Sequence, residues 1–236
     1  MTVKQVEILK LSGTPDHLED NDCPLSIDST REMEGQVELE FRQATSEDAA
    51  QVSALIGSTW AKFFAYSVTE SDLETYLTQT VSEAQIRKEI EDESKYCLLA
   101  VRLAKSTVTG GPKTSATGST VVGVAQMNFN TTEEGLTTSK PVKLDRLYIQ
   151  PTEQGGGLAA LLLQDAEEAA KKRGYNGLWL GVWENNARAI RFYEKMGFVR
   201  RGEHFFWLGK SKRRDWTMEK PLVWTVWNDQ PPAYQS

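Results

Sequence analysis

Apolar and polar residues alternate along Val37, Glu38, Leu39, Glu40, Phe41 and Arg42, a two-residue period that predicts a half-buried β-strand over residues 37–43. The period then changes. Ala49, Val52, Ile56 and Trp60 recur at helical spacing behind Thr45 and Asp48, a capping-box pair, and predict a first helix. Residues 69–93 carry Leu73, Tyr76, Leu77, Ile86 and Ile90 in helical faces, which predicts two short helices broken near Ser82, with Ser71 or Ser82 as caps. Residues 95–103 and 119–129 read as strands, and the Gly-, Ser- and Thr-rich stretch between them predicts a flexible hairpin loop over 104–120.

The second half continues in the same manner. A strand over 142–150 ends at Pro151, and a helix from Gly157 to Arg173 has Leu158, Leu161, Leu162, Asp165 and Ala169 along one side and Lys171, Lys172 and Arg173 in its last turn. Leu178, Leu180 and Val182 alternate with Trp179 and Trp183 in the next strand. A helix capped by Asn185 or Asn186 and stopped by Gly197 follows, then strands over 201–209 and 215–222 joined by a basic turn, "KSKRR". The pattern predicts an α/β (α+β) chain. It places a polar extension, partly disordered, at 1–35 with Val6–Leu11 as an extra strand candidate, one domain at 36–222, and a tail at 223–236.

Composition narrows the classes. With 236 residues, 39% of them hydrophobic and 25% charged, the chain has the make-up of an ordinary globular protein able to bury its own core. No apolar run approaches the ~18 residues of a membrane span, and the N-terminus lacks the pattern of a secretory leader, which predicts a cytoplasmic protein with no membrane partner. Cys23 and Cys97 fit neither a disulfide framework nor a metal site. A formal charge of −6 argues against a nucleic-acid partner.

The chemistry concentrates in "QGGGLAALLL", residues 154–163. A strand that runs through glycines into a helix presents unpaired N–H groups and a positive dipole end to one point, which suits a phosphate. A nucleoside-triphosphate loop would need Gly-Lys-Ser/Thr, whereas Gly157 precedes Leu158 and Ala159. A dinucleotide fingerprint would need a third glycine where Ala160 stands. Gln154, Gly157 and Ala159 instead satisfy Gln/Arg-x-x-Gly-x-Gly/Ala, and Asn186 later opens "NARAIRFYEKMGF". This pair of motifs resembles the GNAT family of N-acetyltransferases over residues 37–222. The stretches "STWAKFFAYSVTESDLETYL" and "WLGVWENNARAIRFYEKMGFVRRGEH" are similar to PaiA-type polyamine acetyltransferases within it.

The resemblance implies a mixed, mostly antiparallel sheet, flanked by helices and splayed where acetyl coenzyme A binds, and no metal. It implies that Leu147, Tyr148 and Ile149 offer backbone groups to pantetheine, with a donor near Leu147 or Tyr148 for the oxyanion. Gln154, Gly155, Gly156, Gly157, Leu158 and Ala159 would cradle the pyrophosphate, and Asn186, Ala189 and Tyr193 would line the thiol end, Tyr193 as proton donor to sulfur. An ammonium acceptor must lose a proton near neutral pH, which calls for a carboxylate, directly or through water. Glu184, Asp145 and Glu203 qualify by position, and His204 reads first as a packing residue. The implied reaction is direct acetyl transfer to a primary amine in a ternary complex, a small molecule such as a polyamine drawn in by Glu70, Asp72 and Glu74, by a monomer or homodimer. A protein amine as acceptor, or a non-catalytic acyl-coenzyme A binding domain, are the alternatives.

Overall fold

The computed structural model describes residues 2–6, 37–103, 118–208 and 211–222. Eight strands form one sheet: β1 (Thr2–Val6), β2 (Val37–Gln43), β3 (Lys95–Arg102), β4 (Thr120–Asn128), β5 (Pro141–Ile149), β6 (Gly177–Trp183), β7 (Val199–Leu208) and β8 (Ser211–Pro221). They lie in the order β1, β2, β3, β4, β5, β6, β8, β7. All neighbours are antiparallel except β5 and β6. The N-terminal strand falls at Thr2–Val6; residues 7–36, which hold most of the Val6–Leu11 candidate and of the polar extension, lie outside the described residues. So do residues 104–117 of the hairpin loop and the tail from 223 onward. The "KSKRR" stretch differs from expectation, because residues 211–214 belong to β8 rather than to a turn.

Among the described residues five α-helices cover the sheet: α1 (Ala49–Phe64), α2 (Glu70–Thr75), α3 (Glu83–Glu91), α4 (Leu158–Lys172) and α5 (Ala187–Lys195). The Asp48 carboxylate accepts from the Thr45 N–H at 2.8 Å, fixing the chain as it enters a 3-10 turn ahead of α1. Thr69, not Ser71, caps α2, while Ser82 caps α3. A π-turn over Tyr76–Thr80 links them.

Two cores result, one on each face. Leu158, Leu162, Leu163, Ala166 and Ala170 of α4 pack with Leu178, Leu180, Val182 and Phe198, and the helical period of the first set is why α4 lies flat on the sheet. On the other face Val52, Leu55 and Ile56 of α1 and Ile86 of α3 meet Leu99, Val101, Val121 and Val124. Each buried Leu or Ile contributes about 1.5–3 kcal/mol.

The feature that positions the site is a failure of pairing. β5 and β6 pair only at Pro141 with Gly177, Val142 with Leu178 and Lys143 with Trp179. Asp145 is the extra residue of a bulge, because Gln126 of β4 faces Arg146 while Met127 faces Leu144. Beyond it the two strands part, and the β5 edge from residue 145 to 149 loses its β6 partner.

Candidate active site

The parting of β5 and β6 opens a cleft of about 580 Å³. Asp145, Arg146, Leu147, Tyr148 and Ile149 form one wall, Gly181, Val182 and Trp183 the other, and α5 contributes Arg188, Ala189, Phe192 and Tyr193. Trp60, Phe63 and Phe64 of α1 complete the lining.

At the loop end, Gly155 and Gly157 have φ of +93° and +82°, the left-handed region that side chains disfavour. A Cβ built on either would meet nothing within 4 Å, so neither glycine is there to relieve a clash with the protein. Gly157 is the N-cap of α4 and carries no side chain to satisfy the first turn. Among the described residues no acceptor takes the N–H groups of residues 155–159. Five N–H groups at the positive end of a 15-residue helix therefore have no acceptor among the described residues, a fit for a pyrophosphate.

The remaining loop residues divide their tasks. The Leu158 side chain is buried in the core, which leaves only its N–H for a ligand. Gln154 acts as a staple: its Nε2 donates to the Ile149 carbonyl at 3.1 Å and its Oε1 accepts from Arg188 at 2.7 Å. Arg188 is a cation beside the donor loop that sequence reading passed over, although its place in "NARAIRF" was the signal. Asn186, rather than Asn185, caps α5, its Oδ1 accepting from the Ala189 N–H at 3.1 Å. Asn186 and Ala189 both line the cleft.

Tyr193 lines the cleft, edge-on to Phe192 at 5.2 Å and to Phe198 at 5.4 Å. Burial pushes its phenol well above its ordinary pKa, so the hydroxyl keeps its proton near neutral pH and can donate it. Arg146 brings a charge to the cleft floor, but Glu89 and Gln126 hold it from below, the Gln126 Oε1 accepting at 2.5 Å. Hydrogen bonds and charge from Arg146 outweigh burial and hold the Glu89 carboxyl at about 2, so the pair is ionised together.

The carboxylates separate clearly. Asp145 lines the cleft and is bound to Lys143 Nζ at 3.1 Å. Glu184 is not among the residues that line it, and two bonds from Arg214, one at 2.8 Å, engage its Oε2. Glu203 shares Arg214 at 3.2 Å and is exposed. Glu70, Asp72 and Glu74 also stay outside the cleft. Asp215, which the sequence reading did not single out, does line it. Its Oδ1 is shut from solvent and has no hydrogen-bond partner among the described residues. No signal marked it, since it follows a run read as a basic turn. His204 pairs with Asp215 across β7 and β8, as a residue of the sheet rather than of the cleft lining.

Parted strands, a glycine loop with unpaired N–H groups and a partly buried tyrosine are brought together at this cleft. Residues 68–198, more than half the chain, match the acetyltransferase (GNAT) family. The chain belongs to that family, and is an acyltransferase by class. An uncharacterized N-acetyltransferase from the pepI 3′ region of Lactobacillus delbrueckii subsp. lactis is 26% identical over 77% of this chain and 96% of its own length. The fold matches the PaiA N-acetyltransferase of Thermoplasma acidophilum, solved in complex with coenzyme A, with a TM-score of 0.55 and 22% identity over 78% of this chain and 98% of that one. It also matches YncA of Salmonella typhimurium, solved with acetyl-CoA, with a TM-score of 0.54 and 18% identity over 82% and 99%. Among the described residues no helix is long and apolar enough to cross a membrane.

Proposed function

We propose that this chain transfers the acetyl group of acetyl coenzyme A to a primary amine of a small molecule, by direct attack within a ternary complex. The observation that carries the reading is a cleft that Gln154 and Ala159 line from either side of the glycine loop and whose lining also holds aromatic side chains and two carboxylates, Asp145 and Asp215. Acetyl coenzyme A, when bound, supplies the thioester. Residues 155–159 hold its phosphates through backbone N–H groups, and the free edge of β5 at Leu147–Ile149 aligns the pantetheine as an added strand would. Tyr193 keeps a proton for the departing sulfur.

The chamber suits an ammonium group on a short apolar body. Trp60, Phe63, Phe64 and Trp183 line it with aromatic rings, of which Trp60 stacks on Tyr76 at 4.3 Å, Phe63 carries Lys62 at 5.7 Å and Trp183 carries Arg213 at 4.6 Å. A polyamine is one such acceptor, and PaiA-type likeness favours it; the short acidic count of the chamber favours a single bound ammonium at a time. The test is release of free thiol from acetyl coenzyme A across spermidine, spermine, diamines, arylalkylamines, amino acids, aminoglycosides and short peptides. Release stimulated by one small-amine class is expected. Tight acetyl coenzyme A binding with release only on addition of a peptide moves the acceptor to a protein amine, and binding without any release refutes catalysis.

A further inference from the structure

Within the acetyl-transfer reading, on which this inference rests, the identity of the proton acceptor is decided by which carboxylate is still uncommitted. Two acids line the cleft. Asp145 already has a partner, the Lys143 ammonium at 3.1 Å. Asp215 reaches the cleft from β8, beside the point where Gly181 of β6 exposes its Cα: a Cβ there would come within 3.2 Å of Asp215 Oδ2 and 2.9 Å of His204 Cε1. Glycine at 181 thus keeps a carboxylate and an imidazole against the wall on which the acceptor rests.

We propose that the Asp215 carboxylate is the general base that takes the proton of the incoming ammonium. Its Oδ1 is buried and accepts no hydrogen bond among the described residues, so that oxygen lacks a bond that would favour the ionised form. The charged groups that face it are His204 from β7, Lys143 from β5, Arg213 from β8 and Glu184 after β6, with Asp145 across the same cleft. Burial outweighs the three cations and raises the affinity of Asp215 for a proton, the direction a base working near neutral pH requires. The step balances. The ammonium gives one proton to Asp215, the freed nitrogen bonds to the thioester carbonyl carbon, and the carbon–sulfur bond breaks. The second proton leaving nitrogen ends on the thiolate through the Tyr193 hydroxyl, and the proton on Asp215 returns to water.

Asp215→Asn, Asp215→Glu and Asp145→Asn are compared with the wild-type chain in kcat as a function of pH, with saturating acetyl coenzyme A and the best amine of the panel. We expect Asp215→Asn to lower kcat by roughly 100-fold or more at pH 7, within the range for a lost general base. Its rate should then climb with pH as the amine deprotonates unaided, toward a pKa near 10. Affinity for acetyl coenzyme A should not change. Asp215→Glu should recover part of the rate, and Asp215→Asn should melt no lower than wild type, since it removes a buried charge with an unpartnered oxygen. Wild-type pH dependence in Asp215→Asn, or a loss confined to Asp145→Asn, overturns the assignment while acetyl transfer stands. A wild-type chain silent with every amine overturns the acetyl-transfer reading, and the base with it.

Discussion

Replacing Gly157 by alanine isolates what the glycine loop is for. Gly157 has φ +82° and ψ −3° as the N-cap of α4. An alanine held there costs about 1–2 kcal/mol, the usual left-handed penalty. In a chain of this size that lowers Tm by roughly 2–8 °C. The protein itself sees no collision, because the new methyl has no heavy atom within 4 Å. Any effect on ligand binding beyond the melting shift therefore reports what occupies that space. If a phosphate sits against the N–H groups of residues 155–159, the methyl removes at least one charge-assisted bond of about 1.5–3 kcal/mol, which weakens coenzyme A roughly 10- to 150-fold. Isothermal titration of coenzyme A into Gly157→Ala, with Gly155→Ala beside it, measures this at a temperature where both are folded. A variant that melts lower yet binds within twofold of wild type would make the glycines a tight connection and nothing more, and the phosphate assignment would fall.

Tyr193→Phe should lower kcat by roughly 10- to 100-fold with melting unchanged, since the ring contacts with Phe192 and Phe198 survive; steady-state kinetics that match wild type would return Tyr193 to packing. Glu219, fully buried, accepts from the N–H and Oγ1 of both Thr137 and Thr138 and from Arg201, and Glu219→Gln should cost about 2–4 kcal/mol by setting an amide against those donors. Those hydrogen bonds outweigh burial and hold its carboxyl at about 2 against an ordinary 4.5, so the stabilisation is complete above pH 4.5 and drains away toward pH 2. Thermal melts of wild type and variant should therefore converge as pH falls across that window; a gap that stays constant would contradict the assignment.

The elements were legible because their signals are local. Alternation marked β2, the Thr45–Asp48 pair marked the entry to α1, and Gly157 and the terminal lysines bracketed α4. The glycine loop was legible for the same reason, since a donor array needs only contiguous residues. Proton chemistry was not, because it depends on which side chains the sheet order brings together. β8 inserts between β6 and β7, and that non-sequential step carries Asp215 under the cleft and turns Glu184 toward Arg214. The run 210–214 read as a turn on its charges alone. In the fold Arg213 stacks on Trp183 and donates to the Ser67 carbonyl, so its charge is spent on partners distant in sequence.

The cleft itself follows from an imbalance of ties on β5. Three residue pairs hold it to β6, whereas β4 pairs with it from Lys143 to Ile149. The bulge at Asp145 turns the strand at the point where the β6 contacts end. Arg146 then anchors β5 to Glu89 on α3 and Gln126 on β4, on the side away from β6, and the Gln126 Nε2 closes the triangle on Glu89 at 3.0 Å. A buried pair of this kind adds little net stability over apolar packing, yet removing one partner strands the other. Its value here is positional, for it holds the free edge of β5 open to a ligand. It also pairs the Arg146 charge where that residue lines the cleft, so under the proposed function an anionic donor would be met by the glycine loop and Arg188.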